Sequence, residues 1–187
     1  MHTILAFGDS LTAGFGVAPQ NSFASLLERS LEQEGYEARV INGGVSGDTT
    51  IDALPRLSGL LRYEPDVVLI ELGANDFAMW VPLETVRSHL ERMIQSAQDV
   101  GARVILAGVR SLSGADREYT ESFHAMYKEL ARAYGLELVP DFLPDIPGNP
   151  ELTLPDGLHP NETGIQRIVD QVLPYLRPIL SPQVGQG

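Results

Sequence analysis

The sequence predicts a three-layer α/β/α fold, doubly wound around a five-stranded parallel sheet. Three observations lead there. Five short apolar runs recur along the chain, they lack the polar alternation of a half-exposed strand, and longer amphipathic segments separate them. Strands that are apolar throughout belong in a sheet covered on both faces, and the intervening helices supply the covers. At 187 residues, 43% of them hydrophobic, the chain is long enough for one domain with a full core and short for two.

Residues 3–7 (TILAF) read as the first strand and 22–34 as a helix. Residues 38–42 are the second strand, and a helix over 51–62 follows. Residues 66–71 (DVVLIE) are the third strand. The helix over 83–100 repeats Leu83, Val86, Leu90, Met93, Ile94 and Ala97 at helical spacing. Residues 103–107 (RVILA) are the fourth strand, and 117–134 a helix with Phe123, Tyr127, Leu130 and Tyr134 on one face. A short fifth strand over 136–139 and a closing helix over 162–176 complete the series. No repeat or linker divides the chain, so residues 1–180 are expected to form one domain and 181–187 (SPQVGQG) a frayed tail.

Charge and composition exclude several functions. The net charge is −12, which disfavours nucleic acid and anionic membrane surfaces, because both need neutralising Lys and Arg. With no cysteine, disulfides, thiolate metal sites and cysteine nucleophiles are ruled out. Imidazole chemistry must come from His2, His89, His124 or His159. No run approaches the roughly 20 apolar residues of a membrane helix, so no stable membrane insertion is expected. The first apolar run is itself a strand, with no basic region and cleavage site around it. The chain as written is therefore expected in the cytoplasm, or in the periplasm or medium if a leader was removed.

The chemistry sits at four strand ends. Gly8-Asp9-Ser10-Leu11 follows the first strand and Asn42-Gly43-Gly44-Val45-Ser46-Gly47-Asp48-Thr49 the second. Gly73-Ala74-Asn75-Asp76 follows the third, and the loop after the fifth reaches Asp156-Gly157-Leu158-His159. In a doubly wound sheet these ends share one edge, where ligands bind. Acyl transfer gives each a role. Ser10 is the nucleophile and needs a base within reach. His159 is that base, and Asp156, three residues earlier, orients its ring. The Ser10 N–H, the Gly47 N–H and the Asn75 side-chain amide are the donors for an oxyanion. Each motif alone is more often an ordinary turn; the combination is not.

These four blocks resemble those of the SGNH, or GDSL, hydrolases, in order and spacing over nearly the whole chain. Val45-Ser46-Gly47-Asp48-Thr49 and Ile70-Glu71-Leu72-Gly73-Ala74-Asn75-Asp76 are most like one branch, the small bacterial esterases called thioesterase I, protease I and lysophospholipase L1, with related arylesterases. The resemblance implies a flavodoxin-like fold, a Ser10–His159–Asp156 triad, an oxyanion hole from Ser10, Gly47 and Asn75, and neither metal nor organic cofactor. It also implies that the loop Phe77-Ala78-Met79-Trp80 borders the substrate, although apolar side chains there could equally tuck into the core. Asp9, Ala74, Leu112 and Leu158 are the further expected substrate contacts.

The remaining polar residues have simpler readings. Asp9 and Asp76 hold their turns through nearby backbone N–H groups. Ser46 lacks the spacing of a nucleophile elbow. His89 is a solvated surface residue, and His124 a packing or surface one. Asn161-Glu162-Thr163 starts the last helix rather than marking a glycan. A flavodoxin-like FMN binder would use residues 10–15 as a phosphate loop but has no need of Asp156 and His159. A phosphoacceptor receiver fails because Lys128, the one lysine, lies inside a helix. Pro19 breaks a dinucleotide fingerprint in 14–19. The expected function is hydrolysis of short- to medium-chain or aryl esters, with thioesters and lysophospholipids as further substrates; the alternative within the family is a carbohydrate acetylesterase. The partner is a small ester or thioester. Neither acyl preference nor oligomeric state is written in the sequence.

Overall fold

In a computed structural model, residues 1–180 are described; the expected tail, 181–187, lies outside them. Strands β1 (His2–Gly8), β2 (Ala38–Gly44), β3 (Val67–Glu71), β4 (Arg103–Ala107) and β5 (Glu137–Val139) form one sheet in the order β2-β1-β3-β4-β5, every pair parallel. β1 lies against both β2 and β3, and Ile4, Leu5, Ala6 and Phe7 are wholly buried. Successive side chains point to opposite faces. Ile4 and Ala6 therefore join one core and Leu5 and Phe7 the other. Each large apolar side chain buried this way contributes roughly 1.5–3 kcal/mol.

The helices divide between the two faces. α2 (Phe23–Gln33) and α7 (Glu162–Leu180) pack together over the Ile4 face. α3 (Thr50–Leu61), α5 (Leu83–Asp99) and α6 (Arg117–Tyr134) cover the Leu5 face. Two short helices, α1 (Ser10–Ala13) and α4 (Ala74–Ala78), lie directly after β1 and β3. Local signals fix the longer ones. Ser22 caps α2 by accepting from Ser25 N, and Asp116 caps α6 by accepting from Tyr119 N. Asn161 Oδ1 accepts from Gly164 N, so the Asn-Glu-Thr triplet does open α7.

Most element ends lie within two residues of the sequence reading, and two departures are larger. Phe77 and Ala78, expected in a loop over 77–80, instead join residues 74–76 in the single turn α4. The closing helix, expected to end at 176, runs through Pro174 and Pro178 to Leu180. Val172, Leu173, Leu176 and Leu180 are all buried, and that packing outweighs the hydrogen bonds the prolines remove. Among the described residues no helix is long and apolar enough to cross a membrane. The strand order reverses direction between β1 and β3, so a crevice opens beyond their carboxyl ends.

Candidate active site

Ser10 opens α1 two residues after β1 ends. Asp9 Oδ1 accepts from Leu11 N at 3.0 Å and caps this short helix. A β-carbon at Gly8 would run into Thr12 Oγ1 and Glu71 Oε1, so only glycine lets the turn close here. Ser10 Oγ lies 3.2 Å from His159 Nε2, and His159 Nδ1 lies 2.5 Å from Asp156 Oδ2. Asp156 Oδ1 also accepts from Leu158 N at 2.9 Å and His159 N at 3.0 Å. The Leu158 amide first, then the His159 ring, hold the Asp156 carboxyl below its usual range. An ionised Asp156 keeps the proton on Nδ1 and leaves Nε2 to accept from Ser10. Phe15 covers the imidazole at a centroid distance of 4.4 Å.

The expected oxyanion donors come from three strand ends. Asn75 Nδ2 donates to Asp48 O at 2.9 Å, and approaches Asp9 Oδ2 at 3.5 Å. Gly47 has φ +86°, a left-handed conformation that favours glycine, and open space lies where a side chain would project. It reaches the Asn75 corner through its neighbour Asp48. Ser10 is the first residue of α1, so its amide has no intrahelical acceptor.

Beside Ser10 a cavity of about 460 Å³ is bounded by Leu11, Ala74, Phe77, Ala78, Trp80, Leu112, Leu143 and Leu158, with Tyr119 and Thr120 from α6. Its wall is largely apolar. Phe77 is buried, whereas Trp80 is exposed and stacks on Tyr119 at 5.1 Å. Phe77 thus belongs to both the core and the cavity wall, while Ala78 and Trp80 line the cavity. Met79, expected to touch substrate, does not line the cavity. It is 68% exposed, because it follows the end of α4 and faces water. Asp9 borders the cavity, but its carboxyl is buried and engaged with Leu11.

Several residues here were not legible in the sequence. Arg56 on α3 donates to Gly8 O at 2.8 Å, Gly43 O at 2.6 Å and Asp48 Oδ2 at 2.8 Å, tying the ends of β1 and β2 together. Asp76, expected to hold its own turn, instead accepts from Thr50 N at 2.9 Å and Thr50 Oγ1 at 2.7 Å. His89, expected to be solvated, is half-buried with Nδ1 2.9 Å from Thr50 Oγ1, because α5 packs on α3. Glu71, at the end of β3, is wholly buried. Gly8, Gly43, Asp48, Glu71 and Asp76 stood within recognised blocks, but with none of these partners assigned; Arg56, Thr50 and His89 come from other elements and carry no local signature. Among the described residues no group of three His, Cys, Asp or Glu side chains is placed to hold a metal ion.

Comparison with known proteins places the chain in a family. Residues 6–167 match the GDSL-like Lipase/Acylhydrolase family. An arylesterase of Vibrio mimicus is 40% identical over 158 residues, 84% of this chain and 79% of the relative. Esterase TesA of Pseudomonas aeruginosa is 36% identical, covering 95% of this chain and 89% of the relative. Thioesterase 1/protease 1/lysophospholipase L1 of Escherichia coli K12 is 31% identical, covering 96% and 85%. The crystal structure of TesA superposes with a TM-score of 0.90 at 36% identity over 96% of this chain and all of the other. Both the sequence match and the shared architecture lead to one conclusion: this chain belongs to the GDSL-like lipase/acylhydrolase family.

Proposed function

We propose that the protein is a serine hydrolase that cleaves short- to medium-chain acyl or aryl esters through an acyl-enzyme on Ser10. The observation that carries this reading is the chain of contacts Ser10–His159–Asp156 at the mouth of an apolar cavity. Ser10 Oγ attacks the ester carbonyl carbon while His159 Nε2 takes its proton. The carbonyl oxygen becomes an oxyanion that accepts hydrogen bonds from the Ser10 and Gly47 N–H groups and from Asn75 Nδ2. The Asn75 N–H near Asp9 is the one that turns to it, since a 3.5 Å contact is weak. Collapse breaks the ester C–O bond, and imidazolium returns the proton to the leaving alcohol. Water then attacks the acyl carbon with His159 as base, releasing the acid and Ser10.

Asp156 orients the ring and stabilises imidazolium, while the cavity takes the acyl chain. Its size suits a small ligand, and its aromatic wall suits aryl as well as alkyl groups. Relatives named as an arylesterase, an esterase and a thioesterase/lysophospholipase support esters first, with thioesters and lysophospholipids as further substrates. Hydrolysis of 4-nitrophenyl acetate and butyrate tests the reading. Ser10→Ala is expected to lower kcat by about a thousandfold or more. No hydrolysis by the wild type, or an unchanged rate in Ser10→Ala, would overturn it.

A further inference from the structure

Beneath the nucleophile turn lie two buried carboxyl groups that the reaction above does not use. Asp9 is 1% exposed and Glu71 0%. Glu71 ends β3 directly beside Gly8, the last residue of β1. Its Oε1 accepts from Thr12 Oγ1 at 2.8 Å and from Asp9 N at 3.4 Å. No N–H or O–H donor of the described residues reaches its Oε2. No cation bonds either carboxyl group among the described residues. Asp76 on α4 adds negative charge nearby, and the phenol of Tyr127 on α6 is close enough to feel both groups. His159, when protonated, lies close enough to Asp9 for its charge to favour the Asp9 carboxylate.

We propose that Glu71 carries a proton at neutral pH and, as the neutral partner of Asp9, is a positioning residue for the nucleophile turn. Two adjacent carboxyl groups out of water cannot both ionise without a large electrostatic cost. A charged Glu71 with one oxygen lacking a donor would be the least favourable arrangement. Burial, then the nearby Asp9 charge, push Glu71 well above the usual glutamate range. Burial raises Asp9 only to about 6, and hydrogen bonding between the two side chains favours charge on Asp9 and the proton on Glu71.

The consequence reaches the reacting atoms through Asp9 and Thr12. Neutral Glu71 accepts the Asp9 amide and the Thr12 hydroxyl, which fixes both ends of the turn that presents Ser10. It also leaves the charge on Asp9, whose carboxylate caps α1 and faces the Asn75 amide. Gln reproduces a neutral Glu: it keeps an acceptor for Thr12 and Asp9 and has no charge. Ala keeps neither.

The inference rests on the hydrolase reading for its kinetic effect, but not for the protonation state. The test combines carbon NMR of the side-chain carboxyl groups in the wild type with kinetics of two variants. At pH 7 a protonated carboxyl signal is expected that is absent from E71Q; an ionised Glu71 signal overturns the proposal. With 4-nitrophenyl butyrate, E71A is expected to lose about tenfold or more in kcat with KM little changed, because Glu71 lies outside the cavity. E71Q is expected to recover most of that loss. An E71Q as impaired as E71A overturns the proposal, since charge would then be required. If E71A does not fold, the wild-type carboxyl signal and E71Q still decide. Activity surviving Ser10→Ala would instead refute the reading of the site and leave the NMR result standing.

Discussion

His159 is held on three sides, and each contact sets a different property of the base. Asp156 fixes the tautomer, Ser10 occupies the opposite nitrogen, and Phe15 covers the ring. The Asp156 side chain is 39% exposed, so solvent reaches the acid side of the pair. The imidazolium formed during the reaction is a cation against an aromatic ring, a contact worth roughly 0.5–1 kcal/mol. Phe15→Leu is therefore expected to lower kcat about two- to fivefold. KM should change less, as Phe15 is outside the cavity wall. Steady-state kinetics check this, and an unchanged kcat would show that the ring does not assist the base. At this scale the sequence was readable where chemistry is encoded in residue type: a serine, a histidine three residues after an aspartate, an amide. Phe15 and Glu71 were not, because a phenylalanine in a loop or a glutamate closing an apolar run announces no partner.

Backbone pairing carries the strands to their ends, and side chains from the helices add ties across them. Arg56 reaches from α3 to carbonyls at the ends of β1 and β2 and to Asp48, with its guanidinium 4.5 Å over the Phe7 ring. Thr50 and Asp76 join the start of α3 to α4, and so bring the Gly47 loop to Asn75. Arg56→Met keeps much of the contact with Phe7 but removes three hydrogen bonds, to Gly8 O, Gly43 O and the Asp48 carboxylate; Gly8 O retains the Val45 amide. Roughly 2–3 kcal/mol of stability is expected to be lost, or about 5–10 °C in Tm. Ester hydrolysis should weaken with it, since the first two blocks lose their tie. Thermal unfolding followed by circular dichroism measures the first effect, and an unchanged Tm would contradict it. Strands and long helices were legible from periodicity. The single turn α4 was not, because five residues are too few for a helical pattern to repeat. The extension of α7 beyond Leu176 was hidden by Pro174 and Pro178, which argue locally against what tertiary packing imposes.

For the whole molecule, the parallel sheet sets where chemistry happens, and its burial sets how stability depends on pH. Asp9 and Glu71 both bind protons more tightly folded than unfolded. Their contribution is therefore full below the ordinary carboxyl range and is lost as pH rises, for Asp9 through about 6. Asp156 has the opposite sign: its contribution is present above the ordinary aspartate range and is lost as pH falls through its lowered value. His124, lowered first by burial, also loses stability on acidification. The wild type and E71Q share these other groups. The Tm of the wild type relative to E71Q is thus expected to fall as pH rises above about 4.5, the usual glutamate value. A difference independent of pH would mean that Glu71 does not titrate above its ordinary range.

Ser10 as the attacking hydroxyl is the central claim, and covalent capture tests it most directly. A 4-nitrophenyl phosphonate ester offers phosphorus in place of the carbonyl carbon, so attack expels nitrophenolate and leaves a stable phosphonyl group on the nucleophile. Mass spectrometry of the labelled, digested protein should find one phosphonyl group per chain, on the peptide bearing Ser10. Ester hydrolysis should be lost in proportion, and Ser10→Ala should take up no label. Label on another residue, or full activity with Ser10 blocked, would contradict the account.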